Sequence, residues 1–237
     1  MTAIVWQLEW RIATARRRLF VINVAVPLLL VLPVAMGAAP AVHAAAVYAV
    51  LFAIFSTFGS AIPLVRDSES GLVARVLRAG VTPASYYLQR TAAGAVLDVL
   101  QLGPALAVAA VGAGAGPRPF LVALMALAAT VWVANLVGVL VAAATRSLAE
   151  AALFSAVVTL LLLHASGVFR TPVPESFGAA VESVAPFRAL HEALLSMSLM
   201  TPVTGGAALG VWCVVMVVAT GVLGGHLPGS LGVSGKS

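Results

Sequence analysis

The chain has 237 residues, 62% of them hydrophobic and only 9% charged, with a net charge of +5 and a mean hydropathy of +1.09. Soluble domains run nearer a quarter charged, so the composition excludes one and specifies a polytopic membrane protein. One cysteine, Cys213, leaves no disulfide framework or cysteine-rich metal site, and basic residues that flank apolar runs encode topology, not a nucleic-acid surface.

Residues 2–18 read as an amphipathic helix. Gln7, Arg11, Thr14 and Arg18 share one stripe and Ile4, Leu8 and Ile12 another, with Trp6 and Trp10 beside them. That pattern suits an interfacial helix in the headgroup region, the alternative being an extension of the first span. The first span, about 19–36, follows Arg16, Arg17 and Arg18. It imitates a signal peptide, but its two prolines, its length and the hydrophobic segments that follow favour a retained span. Further spans are expected at about 44–65, 84–111, 120–145, 148–169 and 206–225, each near or above the ~20 residues that cross a bilayer. Six spans put both termini on one side.

Arg11, Arg16, Arg17, Arg18, Arg66, Arg75, Arg78, Arg90, Arg146 and Lys236 fall on the N-terminal side, and only Arg118, Arg170 and Arg188 on the other. This bias predicts a multi-pass protein of the inner (plasma) membrane with both termini cytoplasmic.

Two segments do not span. Residues 66–89 hold a short helix expected at 68–79, with Asp67 and Ser68 as its start, Gly80 as its stop and Pro83 beyond. Leu72, Val73, Val76 and Leu77 make its apolar face, while Glu69, Arg75 and Arg78 decorate the rest. Residues 170–200 carry three of the eight acidic residues, and Pro172, Pro174 and Pro186 break them into half-helices of about 175–184 and 187–199. Both are too short to cross and too apolar for open solvent, which fits a re-entrant or interfacial cap on the outer side.

Three constellations invite chemistry. Residues 230–237, SLGVSGKS, are one residue from a phosphate-binding loop, but neither a preceding strand nor a following helix is available. His164 and Ser166 suggest a hydrolase, yet residues two apart on a helix do not face each other. No catalytic residue is therefore assigned. Asp98 is the only acid clearly within a span, with Gln101 on the same face and Asn23 and Asn135 in other spans. Asp98, Gln101 and Asn135 are candidates for a translocation path, against the plainer role of hydrogen-bonding helices together.

Residues 66–89 also resemble the loop after the second span of type-2 ABC exporter permeases. The shared features are Glu69-Ser70-Gly71, the Leu-rich stretch from Leu72 to Leu77, and Thr82-Pro83. Ser166-Gly167-Val168-Phe169 and Ala185-Pro186-Phe187-Arg188-Ala189-Leu190 are similar to that family's fifth-span exit and Pro-led outer helix. Leu72 departs from the Thr found in many members. The resemblance implies an all-α membrane fold of six spans with an interfacial helix, a cytoplasmic coupling helix and an outer helical pair. It further implies that Glu69, Gly71, Leu72, Arg75, Leu77 and Arg78 couple to a separate nucleotide-binding ATPase subunit, and that Pro186, Phe187 and Arg188 form the outer cap. A second permease chain would complete a dimer among membrane lipids, with ATP and Mg held by the partner and none in this chain. The expected function is ATP-driven export of a lipid-like, polymeric or amphiphilic cargo. Alternatives are a proton-coupled carrier using Asp98, a membrane assembly factor and a haem-exporter-like subunit of cytochrome maturation.

Overall fold

Every described element of the computed structural model is an α-helix, the form in which a single segment satisfies its own backbone polar groups in hydrocarbon. The described residues are 4–37, 39–170 and 175–223. The phosphate-loop-like tail at 230–237, Lys236, Pro172 and Pro174 lie outside them.

The helices are α1 (Ile4–Ala15), α2 (Arg17–Met36), α3 (Ala41–Glu69), α4 (Leu72–Arg78), α5 (Pro83–Gly112), α6 (Pro117–Ala144), α7 (Leu148–Ala165), α8 (Phe177–Val184), α9 (Arg188–Leu199) and α10 (Gly206–Leu223). Five of them, α2, α3, α5, α6 and α7, are long and apolar enough to cross a membrane. The sixth expected span corresponds to α10, whose apolar stretch, Gly206–Val222, is shorter; residues 224 and 225 lie outside the described ones.

α6 is the central helix: 56% of its apolar window is buried, against 11% for α2 at the periphery. Phe52, Leu102, Leu127 and Leu190 are fully enclosed between α3, α5, α6 and α9. Lipid tails are as apolar as leucine, so this core is held by van der Waals packing and close helix approach. A Cβ at Gly138 of α6 would lie 2.9 Å from both the Thr57 carbonyl oxygen and the Ser60 Cβ of α3. By contrast, Gly206 and Gly210 of α10 face open space within this chain.

The helix bounds carry two corrections. The span expected at about 148–169 ends at Ala165, and the chain turns at Gly167 with a φ of +74. The short helix expected at 68–79 begins at Leu72, because α3 runs on through Asp67, Ser68 and Glu69. Asp67 does not cap a helix; its carboxylate pairs with Arg90. The chain turns instead at Gly71, whose φ of +72 is left-handed, a conformation that costs a residue with a Cβ roughly 1–2 kcal/mol. Gly80, also at positive φ, ends α4 as expected. Thr82 then starts α5, its side chain accepting a hydrogen bond from the Ser85 amide with Pro83 in the first turn.

The alternation of helices places α1 and α4 at one end of the bundle and α8 and α9 at the other. Nine of the described arginines lie at the α4 end; Arg118, Arg170 and Arg188 lie at the α9 end.

Candidate functional site

At the α4 end, Val73, Val76 and Leu77 turn inward onto Val65, Tyr86 and Tyr87, and Val73 is completely buried. Leu77, expected among the coupling residues, therefore faces the protein. Glu69, Arg75 and Arg78 are exposed, Gly71 forms the turn, and Leu72 is half-buried on a cavity wall. Seven residues give α4 about 10 Å of length, so it is a single compact foot beneath α3 and α5.

Behind α4 lies a buried ion triad. Arg90 of α5 reaches Glu9 of α1 through Nη1, and its Nη2 donates to Asp67 at the end of α3 over 2.9 Å. The Arg90 side chain is 7% exposed. A planar guanidinium can serve two carboxylates at once, and here it ties together three helices. Burial holds the Glu9 carboxyl above its ordinary value, outweighing the opposite pull of the Arg90 charge. Such a cluster gains little over an apolar core, but removal of one member strands the other charges.

By sequence pattern Arg90 marks topology alone and Glu9 does not stand out. Two signals were present. Glu9 is the only acid among the first 66 residues, and Arg90 sits inside an expected span, where a charge calls for a partner.

The triad borders a cavity of about 400 Å³ that reaches into the bundle. Arg16, Arg66 and Arg75 line its outer part, and Asn23, Asp98, Gln101 and Asn135 line it further in. The Asn135 side-chain amide donates to the Asp98 carboxylate at 2.8 Å and to the Val131 carbonyl at 2.9 Å. Asp98 also lies against α3, where a Cβ at Gly59 would come within 3.3 Å of its Oδ1. Midway along α5, one carboxylate thus touches α3, α5 and α6 together. The three residues read as path candidates meet in this cavity, as do Leu72 and Arg75.

The α9 end is organised differently. Ser166 Oγ donates to the Leu162 carbonyl at 2.7 Å and accepts from the Phe187 amide at 3.1 Å, which fastens the start of α9 to the end of α7. This structural duty, with His164 exposed, leaves no nucleophile–base pair. Pro186 and Phe187 are buried, and Arg188 donates to Glu192 at 2.7 Å. Glu192 also accepts from the Thr204 and Gly205 amides. Burial pushes the Glu192 carboxyl up, but Arg188 and these donors together hold it below its ordinary value. Burial lowers His191. Among the described residues no group of three His, Cys, Asp or Glu side chains could hold a metal ion.

A family model described as ABC-2 type transporter matches residues 2–199, from α1 through α9. The chain belongs to the ABC-2 type transporter family. It is accordingly a multi-pass membrane permease of an ABC transporter, a transport component associated with an ATP-binding subunit. No curated protein matches the chain.

Proposed function

We propose that the chain is the permease of an ATP-driven exporter whose ATPase partner docks on α4 and the end of α3, through Arg75 and Arg78 of the one and Glu69 of the other. The observation that carries this reading is the shared cavity: Leu72 and Arg75 line the same void as Asp98, Gln101 and Asn135. Displacement of α4 therefore acts directly on the walls of the polar interior. The ion triad gives that displacement a second route, from the α3–α4 junction through Arg90 to α5 and α1. Gly71 and Leu77 support the foot from within, one as its turn and the other as its packing.

The arginine distribution favours an inner-membrane orientation with the α4 end and both termini cytoplasmic. That arrangement makes α10 a sixth crossing, and its 18 residues extend about 27 Å, close to the ~30 Å hydrocarbon core. α8 and α9 then form the outer pair, re-entrant or interfacial, with Pro186, Phe187 and Arg188 at their junction. Two permease chains complete the path, and ATP with its Mg belongs to the partner. Asp98 and Asn135 form the polar lining that an amphiphilic cargo passes.

Co-purification tests the reading. The chain is expected to recover a nucleotide-binding subunit, and the double variant Arg75→Glu/Arg78→Glu to lose permease-dependent ATP hydrolysis at least tenfold without a change in thermal unfolding. Normal coupling in that variant would remove α4 as the docking element. Transport by the chain alone under a pH gradient, abolished by Asp98→Asn, would instead favour a proton-driven carrier.

A further inference from the structure

A void at the α9 end has a volume of about 1210 Å³, above the ~300–1,000 Å³ typical of small-molecule pockets. Its two parts differ in chemistry. Along α3 an apolar wall runs from Val42 through Val47, Val50 and Leu51 to Phe55, about 20 Å of helix. That is more than half of the ~30 Å hydrocarbon core, the reach of an acyl chain within one leaflet. At the end of the wall stand Arg170, Glu182 and His191, beside the Arg188–Glu192 pair.

The rim charges are not equivalent. Arg188 and Glu192 satisfy each other and the amides at Thr204 and Gly205. Arg170 and Glu182 take part in none of the three ion pairs among the described residues. Each is seated over a glycine. A Cβ at Gly178 would lie 3.1 Å from Arg170 Nη1, and a Cβ at Gly167 would collide with the Glu182 carboxyl. Both charged groups are thus laid against backbone, and Glu182 Oε2 is buried without a hydrogen-bond partner. His191 is only 8% exposed and its Nε2 is likewise without a partner. Buried polar atoms left unpaired beside a cavity point to a ligand that pairs them.

We propose that this cavity seats one zwitterionic phospholipid, with an acyl chain along α3, its phosphate at Arg170 and its ammonium group at Glu182. His191 Nε2 is placed to hydrogen-bond the glycerol-ester region between head and chain. The opposite charges at the rim select a head bearing both signs, and the wall selects a lipid over a free head group. The proposal deepens the amphiphilic-cargo reading and rests on it for the leaflet concerned.

The test is lipid retention on the full-length chain, purified with its co-purifying subunits and followed by native mass spectrometry. The probes are phosphatidylethanolamine, phosphatidylglycerol and diacylglycerol of matched chains. Phosphatidylethanolamine is expected to be retained at least tenfold over the other two. Glu182→Gln should abolish the preference over phosphatidylglycerol, Arg170→Gln should weaken both phospholipids, and Ala46→Phe should crowd out all three. Free phosphoethanolamine should not displace the lipid at equal concentration. Equal retention of the three lipids, an unchanged preference in Glu182→Gln, or displacement by the free head group would each overturn the proposal. Binding is read without nucleotide, so loss of selectivity with intact ATPase coupling sinks this site and leaves the permease reading standing. Selective binding without any coupled ATPase sinks the permease reading and leaves the site.

Discussion

A buried charge is satisfied by ion pairs at one end of the bundle and left without a hydrogen-bond partner at the other. At the α4 end, Arg90 is enclosed by Glu9 and Asp67, and the adjoining void is small and carries Asn23, Asp98, Gln101 and Asn135 in its wall. At the α9 end the void is three times larger, and Arg170 and Glu182 stand at its rim without an ion-pair partner among the described residues. A charge already satisfied by the protein holds helices in place, whereas a charge left at a cavity rim is open to something that arrives. The contrast separates a region built to transmit position from one built to receive a ligand.

The sharpest way to break the contrast is to empty the triad. Arg90→Met strands two buried carboxylates and is expected to destabilise the chain by about 3–5 kcal/mol, read from thermal unfolding in detergent. Replacing all three members together, Glu9→Gln, Asp67→Asn and Arg90→Met, should recover most of that loss. If the single variant unfolds like the parent, the triad is not holding the helices. The exposed charges of α4 should behave in the opposite manner. Arg75→Glu/Arg78→Glu removes at least tenfold of coupled hydrolysis while unfolding stays within about 0.5 kcal/mol, the range of surface substitutions.

Asp98 lies between these extremes. Asp98→Ala leaves the Asn135 amide without its interhelical partner and is expected to cost about 0.6–1.7 kcal/mol, as for hydrogen bonds between membrane helices. Asp98→Asn should cost less, so a transport defect there with unfolding unchanged would mark a path residue and not a strut.

The smallest effect belongs to Glu192, whose folded-state carboxyl titrates below the ordinary 4.5. A group depressed in this way contributes stability above its unfolded value, and the contribution is lost as pH falls through the folded value. Acid unfolding curves below pH 4.5 should therefore flatten in Glu192→Gln, while curves near neutrality keep their shape apart from a uniform offset.

Hydropathy was sufficient to find the five helices long and apolar enough to cross a membrane, because apolar runs of 18 to 30 residues leave few other placements for so apolar a chain. The positions of α4 and α9 were legible for a related reason, since their flanking glycines and prolines punctuate the chain locally. The start of α4 was not. Asp67 and Ser68 carry good capping chemistry, and only the distant Arg90 reveals that the Asp67 carboxylate is used elsewhere. Glu9 and Arg90 are 81 residues apart, and no local periodicity connects them. Asp98 and Asn135 were visible as polar residues in separate spans, but their pairing depends on how α5 and α6 rotate against each other. The α9-end cavity was invisible for the same reason, being assembled from α2, α3, α8, α9 and the segment that follows α7.

The length of α3 has a mechanical consequence. Its 29 residues form a rod of about 43 Å. One end of the rod walls the α4-end cavity with Ser60, Pro63 and Asp67, and the other walls the α9-end cavity with Val42 and Val47. Between them, Thr57 and Ser60 rest against Gly138 of α6 with no side chain intervening. A bar resting on a fulcrum near its middle returns a push with the sign reversed. Pressure that swings the foot of α3 inward to narrow one chamber would swing its head outward and widen the other.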